Sequence, residues 1–185
     1  MLGKKVGQSS QVIRQLIQEG KIVKPKAGTD GFFLKKSREA LNVSQRLFGL
    51  QEEESLETSL WVINTAYYSM FFAATALQAY FNHKIKVKQG IHSLTYHALV
   101  HYFIKEDNKL KKHIMENYKE AVEEAEDLLQ LCENKIDGMV RNFSFELSKR
   151  KEFTYDIGKI AEKSKAETSL SRAKEFFVEI ESIMP

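Results

Sequence analysis

Apolar side chains recur along this chain at steps of three and four almost from end to end, the spacing of one helix face. One stretch departs from that rhythm and organises the rest. Residues 60–81 (LWVINTAYYSMFFAATALQAYF) carry no charge, and their polar interruptions are Asn64, Thr65, Ser69, Thr75 and Gln78. A run this long reads either as a membrane span, for which about 20 uncharged residues suffice, or as the central helix of a bundle, apolar nearly all round because other helices surround it. The polar side chains, with the hydroxyls of Tyr67, Tyr68 and Tyr80, need hydrogen-bond partners that a protein interior supplies and lipid does not. The pattern therefore predicts a buried central helix. Acids precede it (Glu52, Glu53, Glu54, Glu57) and lysines follow it (Lys84, Lys86, Lys88).

Amphipathic helices are predicted on either side. Residues 1–8 read as frayed. Ser9 or Ser10 caps a short helix that carries Val12, Ile13, Leu16 and Ile17 on one face and ends at Gly20. Residues 21–31, with Pro25, Gly28 and Gly31, read as a basic, solvated linker. Residues 32–47 predict a helix with a core stripe of Phe33, Ala40, Leu41, Val43, Leu47 and Phe48, closed by Gly49. Ser55 is the expected cap of the central helix, with Thr58 and Ser59 as rivals, and that helix runs to about Asn82.

Residues 83–90 read as a charged connection. Ile91, Leu94, Ala98, Leu99 and Tyr102 predict a helix over 89–104, broken at 106–108, where Asp107 or Asn108 caps the next helix. From Leu110 through Ile114, Tyr118, Ala121 and Ala125 to Phe143 and Leu147 the steps continue for about 40 residues, a helix of about 60 Å if unbroken. Either it breaks at Asp137 and Gly138, or it projects and pairs with another subunit. Residues 166–184 close the chain as a helix with Leu170, Ala173, Phe176, Phe177 and Ile180 inward.

Composition sharpens the architecture. At 185 residues the chain is one domain with an extension at most. Two prolines and nine glycines leave little material for hairpins, so the expected fold is all-α. It is an up-and-down helical bundle with an extra N-terminal helix and one long helix: residues 1–31 form the helix and basic linker, residues 32–185 the bundle. A single cysteine, Cys132, excludes an internal disulfide and fits a reducing compartment. The opening MLGKKVGQSSQ lacks the apolar core of a signal peptide, so the expected location is cytoplasmic, with no membrane contact. A net charge of +3 is compatible with nucleotide or RNA contact and insufficient to establish it.

Three groups of residues are candidates for chemistry. His97 and His101 share a helix face at i, i+4. A metalloprotease helix needs Glu directly after the first His, where this chain has Ala98, and no further ligands are spaced to complete a zinc site. No metal and no cofactor are expected, and these histidines read as lining a polar seam of the bundle. The segment RNFSFELSKRKEFTYDIG gathers Arg141, Lys149, Arg150 and Lys151 beside Tyr155 and Asp156. Guanidinium groups bind phosphate through paired hydrogen bonds, while a helix end also favours such cations without any ligand. Glu123, Glu124, Glu126 and Asp127 read as the wet face of a helix. The chain has no phosphate-cradling glycine loop and no G-x-S-x-G.

The segment NTAYYSMFFAATAL resembles the AYYAMFHAARAL helix of HEPN domains, small helical domains named for nucleotide binding. His92, in GIHSL, resembles the His that opens the family's next helix. ELSKRKEFTYDIG is similar to the R-x-x-A-D-Y signature ahead of the last helix, with Arg150 and Tyr155 at its Arg and Tyr, and SLSRAKEFFVEIESIM resembles that last helix. The resemblance covers roughly residues 32–184. It implies a four- or five-helix bundle that forms a homodimer, in many members paired with a minimal nucleotidyltransferase as a toxin–antitoxin couple. Active members are metal-independent ribonucleases with Arg, four to six residues, then His. Here Tyr155 holds the His position counted from Arg150, and Glu146 holds it counted from Arg141. A phenol with a pKa near 10 is a poor general base, and a carboxylate repels RNA phosphate. About 25 residues around 111–135, and the N-terminal helix, have no counterpart in typical members.

The resemblance thus implies a non-catalytic module that binds nucleotide or RNA, or docks a nucleotidyltransferase, through Arg150, Tyr155, Arg141, Lys151, Asp156, Tyr67 and His92. The alternatives are a ribonuclease with an altered site, its catalytic candidates Arg150, Tyr155, Arg141 and Glu146, and a purely oligomerising helical bundle.

Overall fold

The computed structural model describes residues 2–53, 56–87, 89–106, 110–111, 113–124 and 163–184. Its centre is a hairpin of two long helices, α2 (Thr29–Glu53) and α3 (Ser59–Tyr80). The stripe by which α2 meets the core is the expected one in part: Leu47 and Phe48 pack against it, and Phe33 stacks on Phe72 of α3. Leu41 is buried, but Val43 is 47% exposed, and the fully buried positions beside Leu41 are Ser37 and Ser44. Steps of four and three link 37, 41 and 44, so they share a face. Small side chains on that face let the two backbones approach, and each hydroxyl finds a carbonyl across the gap: Ser37 donates to Ser69 O at 2.8 Å and Ser44 to Val62 O at 3.0 Å. Gly49 does not close α2, which continues to Glu53. Thr58 holds the cap position of α3, yet its hydroxyl donates to Leu47 O of α2 at 2.7 Å and not to its own helix.

The uncharged stretch forms the core, as its pattern predicts. Val62, Ile63, Ala66, Met70, Ala73, Ala74 and Leu77 are sealed from solvent. Among the described helices α3 alone is long and apolar enough to cross a membrane; here these side chains pack with Leu41 of α2 and with Leu170, Phe176, Phe177 and Ile180. The latter four belong to α6 (Lys163–Ile183), whose inward residues are those expected. A further helix, α5, covers residues 113–124 within the region read as one long helix. Leu110, Ile114, Tyr118 and Ala121 are buried, and Tyr118 stacks on Phe176 with ring centroids 5.2 Å apart. Polar pairs join α5 and the residues just before it to α6: Lys111 to Glu179 at 3.1 Å, His113 to Glu175 at 3.0 Å, and Arg172 to both Glu120 and Glu124. Lower numbers on one meet higher numbers on the other, so the two run antiparallel. Glu124 also accepts from Ser169 at 3.0 Å, which ties a carboxylate expected on a wet face into the helix contact. Glu126, Asp127, Asp137 and Gly138 lie outside the described residues, as does the question of a break in the long helix.

The N-terminal end departs most from expectation. Helix α1 is Leu2–Gln18, so it begins before Ser9 and Ser10, which sit inside it and point into the structure. Its C-terminus is as expected. Gly20 has φ +66°, and the Lys21 and Gly20 amides donate to Leu16 O (2.8 Å) and Ile17 O (3.0 Å), a Schellman closure. The basic linker contains a two-residue strand, β1 (Ile22–Val23), antiparallel to β2 (Lys84–Ile85) in the charged connection, with Ile22 opposite Ile85. That bridge is the only sheet among the described residues, in a fold that is otherwise an all-α bundle. It anchors a second small core, where Ile13, Leu16, Ile85 and Ala98 hold α1 against α4 (Ile91–Leu99).

Helix α4 passes into π-helical turns over Val100–Glu106; the expected helix over 89–104 is thus of two kinds. The wider π turn brings consecutive residues inward. Val100, His101 and Phe103 are all buried, His101 towards α1 and Phe103 against Phe81, the C-cap of α3. His92 at the start of α4 lies beside Tyr67 and Phe103 in its continuation reaches Phe81, so α4 runs in the same direction as α3.

Candidate functional site

Two of the residues singled out by resemblance meet. The Tyr67 hydroxyl on α3 lies 2.5 Å from Nδ1 of His92 at the start of α4. Tyr67 is buried and His92 half-buried. Local sequence explains the placement. Tyr67, Tyr68, Phe71 and Phe72 recur at i, i+1, i+4 and i+5, which gives α3 two adjacent columns of rings. Gly90, at φ +71°, turns the chain into α4 and sets His92 on its first turn. The imidazole then packs among the columns, with its centroid 4.4 Å from Phe71, 5.5 Å from Tyr67 and 6.3 Å from Tyr68. The rings meet the imidazole tilted or edge-on, at 48°, 47° and 76°, so the contact fixes His92 against α3. Phe71 was not selected from sequence, although the doubled aromatic spacing marks it. One turn before Tyr68, the side-chain oxygen of Asn64 is buried without a hydrogen-bond partner.

The expected polar seam is present, and its partners come from α1. Ser9 Oγ lies 2.9 Å from His97 Nδ1, and Ser10 Oγ lies 3.2 Å from His101 Nδ1. Sequence reading assigned these serines to a cap because nothing local shows a histidine about 90 residues away. Ser9 is 1% and His101 5% exposed, so neither Ser–His contact is placed to meet a substrate; they dock α1. Burial pushes the His97 pKa down. Nearby Tyr96 is pushed up by burial, so it stays a neutral phenol. His83 stacks on Tyr102, centroids 3.9 Å apart and rings within 7° of parallel. Among the described residues no three His, Cys, Asp or Glu side chains are grouped to hold a metal ion.

Arg141, Glu146, Arg150, Lys151, Tyr155 and Asp156 lie outside the described residues, so the structure gives no geometry for the groove expected from them. No protein family, no characterised protein and no solved structure matches the chain. Its reading rests on its own residues.

Proposed function

We propose that the chain is a HEPN-type helical binding module, dimeric and cytoplasmic, that takes a nucleotide or RNA and performs no cleavage. In members of that family such a module also docks a minimal nucleotidyltransferase, and a toxin–antitoxin role follows if a partner of that kind accompanies this chain. The observation that carries the reading is the Tyr67–His92 contact. Two segments that resemble family motifs, 25 residues apart and on different helices, are brought into hydrogen-bond contact. An all-α bundle around an uncharged, tyrosine-bearing helix supports the same reading. Against catalysis stand the residues at the motif's His position, Tyr155 or Glu146, neither of which exchanges protons near neutral pH as imidazole does.

Purified full-length protein is to be titrated with labelled single-stranded RNA and with nucleotides over a salt series. Binding that weakens steeply with salt, lost in Arg150→Ala and reduced in His92→Ala, is the expected result. Absence of any binding overturns the module. RNA cleavage by wild-type protein that Arg150→Ala abolishes overturns the non-catalytic part and restores the ribonuclease alternative.

A further inference from the structure

The charge of this chain is unevenly spread. Residues 21–38 hold six lysines and arginines against one acid, Asp30, while the whole chain is only +3. The same stretch opens α2 and places aromatic rings at its surface. Phe32 meets Phe33 edge to face at 5.3 Å, Phe33 stacks on Phe72 of α3 at 6.0 Å, and Phe72 meets Tyr68 at 5.9 Å. The run opens to solvent at both ends, with Phe32 56% and Tyr68 38% exposed.

Lysines border the run. Lys35 and Lys36 follow Phe32 by three and four residues and so share its helix face, and Lys36 Nζ lies 5.9 Å from the Phe32 ring centroid. Both also reach Glu39, at 3.9 and 2.8 Å, with side chains well exposed. Exposed pairs of this kind are weak and exchange readily for a phosphate.

We infer that the Phe32–Phe33–Phe72–Tyr68 strip is a stacking platform for the bases of single-stranded nucleic acid, with the phosphates running past Lys35 and Lys36. Ring faces stack on any base and cations follow the backbone, so the site is tolerant of sequence. A second copy of the chain is the poorer occupant, because a two-fold contact through this face sets lysines against lysines. The inference rests on the nucleic-acid reading above, but it uses none of Tyr67, His92 and Arg150, and of its four rings Tyr68 is the one that borders His92.

The test is fluorescence anisotropy of the full chain with labelled oligo-U and oligo-dT of about a dozen nucleotides. Phe32→Ala with Tyr68→Ala weakens binding about tenfold or more and leaves the salt slope unchanged. Phe32→Leu with Tyr68→Leu, which keeps apolar bulk and the fold, weakens it likewise. Lys35→Gln with Lys36→Gln lowers the log–log salt slope by about 1.4. Equal loss on RNA and DNA fits stacking; loss on RNA alone adds a ribose contact to the platform. If wild-type protein binds and both aromatic double variants bind equally well, the strip is overturned and the module stands. If those variants become monomeric with affinity unchanged, the strip is a dimer face and the inference also falls. If wild-type protein binds neither oligonucleotide, strip and module fall together.

Discussion

Ser37 and Ser69 bond to each other's helices reciprocally. Ser37 Oγ donates to Ser69 O at 2.8 Å, and Ser69 Oγ donates to Ser37 O at 3.0 Å, with the two hydroxyls 3.2 Å apart. Both are fully buried. Each hydroxyl is satisfied without water, so the polar atoms add no uncompensated desolvation. What they provide is proximity, since a larger side chain at either place pushes α2 and α3 apart.

Ser37→Ala should therefore cost about 1 kcal/mol, the usual loss for one buried hydrogen bond whose acceptor keeps its helical partner. Ser37→Leu should cost about 1–3 kcal/mol or more through overpacking. Urea denaturation measures both. A cycle with Ser69→Ala should return a coupling of about 0.5 kcal/mol or more. Full additivity in that cycle means that the two serines act independently.

Two helix ends test backbone strain in isolation. Gly20 at φ +66° and Asn82 at φ +62° both occupy the position after a helix C-cap in left-handed conformation, with Schellman bonds around them. Beyond Gly20 itself and its chain neighbours, no atom lies within 4 Å of where its Cβ would fall, so Gly20→Ala meets no clash with the rest of the fold. It should still cost about 1 kcal/mol from the left-handed backbone alone. Asn82→Ala should cost a similar amount, about 1 kcal/mol, whereas Asn82→Gly should stay within about 0.5 kcal/mol of wild type. Thermal melts followed by circular dichroism separate these outcomes.

These elements also show what sequence could convey. Helix α6 was legible because its inward residues are apolar at regular steps, and α3 was legible because it lacks charge. The contact face of α2 was legible only in part: Leu41, Leu47 and Phe48 mark it, but Ser37 and Ser44 are polar and Val43 is apolar, so hydropathy misplaces those three. Helix α1 was read too short because serines cap helices more often than they bond to distant histidines. The π turn at Val100–Glu106 keeps an apolar rhythm that an α-helix would share. In the site, Tyr67 and His92 were selected by resemblance, but their contact depends on α4 lying alongside α3 and running the same way, and no spacing rule encodes that placement.

Tyr67 offers a measure of how far that contact supports the fold. Tyr67→Phe deletes the hydroxyl and keeps the ring beside Tyr68 and His92. It should cost about 1 kcal/mol. Tyr67→Ala also empties a site that is 3% exposed and should cost about 3–5 kcal/mol. Denaturation midpoints of the two variants decide the matter: a Tyr67→Phe protein as unstable as Tyr67→Ala would place the whole effect in the hydroxyl.

His97 predicts a loss of stability on mild acidification. Burial holds its folded-state pKa below the ordinary 6.5, and no charge partner contributes to that shift. The unfolded chain therefore takes up a proton here before the folded chain does. Stability is fully present above about pH 6.5 and declines as pH falls through that value towards the folded pKa. Glu19 and Glu39 do not blur this window, because hydrogen bonds from Lys21 and Lys36 hold both carboxyls below the ordinary 4.5, so they stay ionised through it. Protonation also restricts the seam, since a charged imidazole can only donate to Ser9 Oγ, whereas the neutral ring can donate or accept. The urea midpoint of wild-type protein should fall between about pH 7.5 and about pH 5.5. His97→Gln keeps a partner for Ser9 and does not titrate, so its midpoint should fall less over the same interval. An identical decline in wild type and His97→Gln would remove His97 from the account of acid sensitivity.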